Sequence, residues 1–176
     1  MRRLLRKRSA GRRSDATPKR RSSAAPPKRH PSYFVVAGVD LRAEMQRLRG
    51  LRVFARGPLA ESEPELKVRR ASSRPNRLGF AVPGEWRLSV TAYPQMRPGD
   101  ALETLLHELV HLHVGRQPGG HAWHGRVFKR TLARAMAQAY GIDDVRPAST
   151  LHGVYAQALE QKRLREGEQL ELPLAG

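Results

Sequence analysis

The segment Asp100–Gly115 constrains this chain more than any other. Leu102, Leu105, Leu106, Leu109 and Leu112 recur at three- and four-residue spacing, the period of one helix face. Asp100 and Glu103 have capping-box spacing, with Asp in the place of Ser or Thr. Gly115 stands where a helix would end. Inside this run lies His107-Glu108-Leu109-Val110-His111. Positions i and i+4 of a helix lie ~40° apart on one face, one turn removed. Both imidazoles can therefore reach one tetrahedral ion at Zn–N ~2.0–2.1 Å. Glu108 is rotated ~100° from His107, off the ligand position but within reach of a water beside the ion. A general base belongs there. The segment predicts a helix that doubles as a metal site.

A third ligand is needed, and the sequence narrows it. The pattern H-x-x-G-x-x-H would require Gly at 114 and His at 117, but Val114 and Gln117 stand there. A carboxylate ligand on the next helix is also missing, because no Asp or Glu occurs between Glu108 and Asp143. Asp143 and Asp144 follow Gly141, where that helix ends. His113 lies ~200° round the helix from His111 and faces away. His121 and His124 remain. His124 opens the following helix, after the glycine-rich loop Arg116–Ala122, and is the preferred ligand. His121 is the alternative. Three protein ligands leave a fourth position open, as hydrolytic zinc sites do. The expected cofactor is one zinc ion, held by His107, His111 and His124, with Glu108 moving protons during amide hydrolysis. Tyr93, Tyr140 and Arg126 are possible oxyanion partners, and the pattern selects none of them.

The rest of the chain reads as α+β. Leu41, Met45 and Leu48 predict a helix over Asp40–Arg49, stopped at Gly50. Gly57–Pro64 reads as a loop. Glu65–Ala71, Arg77–Val82 and Trp86–Ala92 read as strands. The last two form an antiparallel hairpin about Pro83-Gly84-Glu85, with basic residues on its wet face, and a three-stranded sheet results. Trp86, Leu88, Val90 and Ala92 share one side. A third helix runs from Trp123 or His124 to Tyr140, with Val127, Phe128, Leu132, Ala135, Met136 and Ala139 inward. Trp123 and Phe128 read as core packing. A charged helix spans about Thr150–Glu166. Three parts follow: residues 1–32, 33–148 and 149–176.

The 176 residues carry 33 Lys+Arg against 16 Asp+Glu, a formal charge of +17. Such a surplus favours polyanions, with nucleic acid first. Much of it sits in residues 1–32, where Arg2, Arg3, Arg6, Lys7, Arg8, Arg12, Arg13, Lys19, Arg20 and Arg21 cluster among Ser, Ala and Pro with Asp15 the one acid. This composition predicts a disordered arm that tracks phosphates by counterion release. There is no Cys, which excludes disulfides, thiolate nucleophiles and Cys-ligated zinc. No apolar run is long enough to span a bilayer, so no membrane partner is expected. The basic start lacks the apolar stretch of a signal peptide. A cytoplasmic protein is expected, nucleoid-associated if bacterial, although the Arg- and Ser-rich start also fits an organellar transit peptide.

Two resemblances add to this. The stretches Leu106-His107-Glu108-Leu109-Val110-His111 and His124-Gly125-Arg126-Val127-Phe128-Lys129 resemble the SprT-like metalloprotease family, which includes the Spartan proteases. Trp86-Arg87-Leu88-Ser89-Val90 is similar to the family's lead-in. The likeness covers Val39–Tyr140 and supports His124 as third ligand. It implies a small zincin-like domain and zinc-dependent proteolysis of proteins bound or crosslinked to DNA. Many relatives carry a Cys-rich zinc ribbon, which this chain lacks, so any DNA contact must come from Lys and Arg. Gln169-Leu170-Glu171-Leu172-Pro173-Leu174 resembles the peptides by which bacterial replication and repair proteins dock on the sliding clamp. There Gln169 would hydrogen bond, with Leu170, Leu172 and Leu174 as the motif's leucines. The competing reading is a nucleic-acid-binding protein whose zinc site is structural or catalytically silent.

Overall fold

The computed structural model describes residues 31–115, 123–143 and 153–171. Pro31–Phe34 form a short 3-10 turn. Val35–Val36 (β1) and Val39–Asp40 (β2) pair antiparallel around Ala37 and Gly38, both at positive φ. Asp40 then caps α1, Leu41–Arg49, its carboxylate accepting from the Arg42 and Ala43 amides at 2.9 and 3.1 Å. Leu41, Met45 and Leu48 are buried, as their spacing requires. Where Gly57–Pro64 reads as loop, Pro58–Glu61 make a single helical turn, α2, that buries Leu59. A single turn with one buried residue is too short to show a helical period.

The sheet contains β3 (Glu65–Arg70), β4 (Gly79–Val82) and β5 (Arg87–Ala92) in the order β3-β5-β4. The β4–β5 hairpin is antiparallel, as expected, with Gly79 opposite Val90. β3 instead runs parallel to β5, Glu65 opposite Arg87 and Arg70 opposite Ala92, so the sheet is mixed. Alternation reports which face a residue takes, not the direction of the neighbouring strand. Trp86 is not a strand residue. It closes the 3-10 turn Pro83–Glu85 in the left-handed region at φ 48°. β5 is the central strand, and Ser89 and Thr91 are buried along with Leu88, Val90 and Ala92. Its burial is therefore not confined to one side.

Helix α3, Pro98–Val114, begins two residues before Asp100. Pro98 fills the first turn, where its missing N–H goes unused, and no side chain caps the helix. The expected capping box does not form. The Asp100 carboxylate takes Arg97 Nε at 3.3 Å. Glu103 reaches away to α5, Val154–Glu171, accepting from the Gly153 and Ala156 amides at 3.1 and 2.6 Å. Every residue from Gly99 to Leu112 is buried, because α3 packs against β4, β5, α1, α2, α5 and α4 (Arg126–Tyr140). α5 is more than a charged surface helix: Tyr155, Ala156 and Leu159 are buried. A Cβ on Gly99 would lie 2.4 Å from the Ala156 carbonyl oxygen, so glycine sets that close approach. α4 buries Phe128, Leu132, Ala135 and Met136 and ends at Gly141. Val127 departs from the inward set, being half exposed at 52%. The fold is α+β.

Candidate metal centre

α3 supplies two rings and the turn before α4 supplies the third. His107 and His111 are buried, while His124 is exposed, since α4 begins only at Arg126. The His124 Nε2 lies 3.0 Å from the Nε2 of both His107 and His111, and those two are 3.1 Å apart. A neutral imidazole nitrogen is either donor or acceptor. Three in mutual contact must include a like pair, so hydrogen bonds among the rings cannot satisfy every contact. A cation between them meets three lone pairs at once. Tetrahedral ligation at ~2.0–2.1 Å sets nitrogens about 3.3 Å apart, within a few tenths of the observed triangle. The three histidines can hold a metal ion, and donor chemistry of this kind suits zinc among others.

Phe128 explains how a surface turn is held so closely. Its ring is fully buried and touches all three imidazoles, with centroids 4.8 Å from His107, 4.3 Å from His111 and 4.9 Å from His124. Phe128 is core, as its sequence position suggests, and is also the shelf on which the rings rest. Trp123 is not core. It is 45% exposed and meets His111 edge-on at 5.7 Å.

Glu108 lies in the same cavity of about 380 Å³, which Arg77, Gly79, Phe80, Ala81, Trp123 and the three histidines also line. Burial pushes its carboxyl up to about 8, with Arg77 opposing the shift. Two of these neighbours escape sequence reasoning. A Cβ on Gly79 would come within 2.7 Å of Thr104 Cγ2, 2.8 Å of the Ser89 carbonyl oxygen and 2.9 Å of Glu108 Cγ. Glycine there lets β4 close onto α3 beside Glu108. An isolated Gly in a strand pattern is the signal for such an approach. Arg77 has no signal, being one arginine among many.

The remaining sites separate clearly. His113 stands apart from the triangle, packed edge-on against Phe54 at 5.1 Å, and burial lowers its pKa. Tyr93 turns to Asp100, at 3.5 Å. Tyr140 donates to Glu44 at 2.6 Å. Neither tyrosine lines the cavity. His121, the arm residues Arg2, Arg3, Arg6, Lys7, Arg8, Arg12, Arg13, Lys19, Arg20 and Arg21, and Leu172 and Leu174 lie outside the described residues. Gln169 and Leu170 fall in the last turn of α5 rather than in extended chain. Among the described residues no helix is long and apolar enough to cross a membrane. No protein-family model, no curated protein and no solved structure matches this chain.

Proposed function

We propose that this chain is a zinc-dependent metalloendopeptidase of SprT-like, zincin-like kind, acting on proteins bound or crosslinked to DNA. The observation that carries it is the histidine triangle with a buried, non-ligating carboxylate in one open cavity. A structural zinc site is usually closed by four protein ligands and has no use for such a carboxylate. Zinc, when held by His107, His111 and His124, supplies the Lewis acidity that polarises a carbonyl and acidifies water.

The protein groups do the rest. Glu108 accepts a proton from the attacking water at its carboxylate and passes it to the leaving amine nitrogen. Arg77 is the cation at this cavity and stands where negative charge on the substrate can be met. β4 is an edge of its sheet and its residues Gly79, Phe80 and Ala81 border the cavity. An extended substrate can add to that edge as a further strand, which places its backbone carbonyls beside the histidines. The basic surplus holds the protease on DNA.

The test is metal analysis with cleavage of a DNA-bound protein, on wild type and Glu108→Gln, with and without single-stranded DNA. The variant is expected to retain one zinc per chain and to lose cleavage. Cleavage at the wild-type rate in Glu108→Gln overturns the mechanism. Metal retained with no cleavage by either protein favours the silent-site reading.

A further inference from the structure

The acid-free interval that narrowed the metal ligands has a second consequence. α4 carries Arg126, Lys129, Arg130 and Arg134, and no Asp or Glu lies between Glu108 and Asp143. Arg126, Arg130 and Arg134 are all exposed. At ~100° per residue they fall within an ~80° sector, and successive members stand ~6 Å apart along the axis. The buried residues Phe128, Leu132, Ala135 and Met136 are centred on the opposite side. The stripe therefore lies on one side of the helix and is turned to solvent.

Its charges are unanswered within the described residues. Arg47, Arg49, Lys67, Arg87, Arg97 and Lys162 each meet a carboxylate, whereas no ion pair is formed by the four cations of α4. Like charges at i and i+4 repel on a helix, and this helix contains two such arginine pairs. Ahead of the stripe, on the turn that holds His124, the Trp123 indole is 45% exposed and borders the cavity. A basic row with an open aromatic face at one end is the surface that single-stranded nucleic acid uses, phosphates on the cations and a base on the ring. A duplex keeps its bases stacked on each other, and a membrane would need a broader apolar face than Val127 provides.

We propose that α4 is a single-stranded nucleic-acid track, with Arg126, Arg130 and Arg134 taking phosphates and Trp123 stacking a base at the mouth of the cavity. This rests on the DNA-facing half of the proposed function and not on its hydrolytic half, so a chain that cleaves nothing would still carry the track. It sets the polyanion against the folded domain, beside the metal centre, in addition to any contact made by residues 1–32.

The experiment uses the full chain and an oligothymidylate long enough to span α4, titrated by fluorescence anisotropy over a range of salt. Each phosphate contact to a single strand contributes about 0.7 to the slope of log K against log salt. Arg126→Gln/Arg130→Gln/Arg134→Gln should flatten that slope by about two, and weaken binding about a hundredfold at 0.1 M salt. The comparison variant Arg56→Gln/Arg163→Gln/Arg165→Gln removes equal charge from exposed positions elsewhere and should change the slope by much less. A second readout does not depend on the triple variant folding. The chain has two tryptophans, so Trp86→Phe leaves Trp123 as the sole tryptophan, and the oligonucleotide should quench its selectively excited emission. Equal losses in the two triple variants, unaltered Trp123 emission at saturation, or displacement by polyglutamate as effective as by oligonucleotide each overturns the proposal. A ribonucleotide probe of the same length distinguishes RNA from DNA as the strand preferred.

Discussion

Helix α3 holds two buried glutamates five residues apart, and their surroundings assign them opposite work. Glu103 is 3% exposed and is met by the backbone amides of Gly153, Tyr155 and Ala156 at the start of α5. Glu108 is equally buried but looks into an open cavity, with an arginine on the wall and three imidazoles beside it. Burial raises both carboxyls, to about 7 and about 8. One carboxylate is spent on docking a helix, and its hydrogen-bond capacity is used. The other has capacity left for something that enters the cavity. A raised pKa does not by itself separate structural from chemical groups. What separates them here is which atoms face the oxygens.

The sharpest way to break this comparison is to make both side chains neutral. Glu108→Gln should lower peptide cleavage by about 10²–10⁴, the range for a general acid–base group, with the melting temperature at neutral pH unchanged or raised. A large loss of stability would mean that Glu108 also has a structural role. Glu103→Gln should leave cleavage near wild type and alter the pH dependence of folding instead. The sign follows from the direction of the shift. Glu103 binds its proton more tightly in the folded protein, so the stabilisation it gives is complete below pH ~4.5 and is lost as pH rises to about 7. That loss amounts to about 3 kcal/mol across the window. Denaturation of the metal-free protein at pH 4.5, 6 and 7.5 should show a steeper decline in wild type than in Glu103→Gln. Parallel curves would mean that the α5 amides stabilise the ionised form fully.

These two residues also show where sequence reading reaches its limit. His107, Glu108 and His111 are legible because helical periodicity alone places them, and the same holds for the buried faces of α1 and α4. Elimination among few histidines leaves His121 and His124, and His124 is the one found beside His107 and His111. Glu103 is not legible, since spacing offers a local partner, a capping box with Asp100, while the actual partners are Gly153, Tyr155 and Ala156 some fifty residues on. Strand direction fails for the same reason: nothing within Glu65–Arg70 records that β3 lies alongside β5 in parallel. Phe128 reads correctly as core, but only its contacts with three rings reveal that it supports the site. Periodicity encodes the face of an element. The identity of what meets that face is written elsewhere in the chain.

Gly79 tests the same point at smaller scale, because its role lies wholly in what it leaves room for. Gly79→Ala should cost about 1–3 kcal/mol, as overfilling of a packed interior does, and should slow cleavage by displacing Glu108. Zinc affinity should hold, since the three imidazoles stand on α3 and the α4 turn rather than on β4. Two of the three clashing atoms belong to side chains, and the closest is the Thr104 methyl. Thr104 also donates its hydroxyl to the Asp100 carbonyl at 2.6 Å, a bond that serine can keep. Thr104→Ser therefore removes the obstructing methyl while sparing the hydrogen bond. In a double-mutant cycle, Gly79→Ala with Thr104→Ser should be more stable than the sum of the single losses, with a coupling of about 0.5 kcal/mol or more. Strict additivity would place the conflict on the Ser89 carbonyl instead. That atom belongs to the central strand and cannot give way, so β4 itself would have to shift, and cleavage would stay low in the double variant.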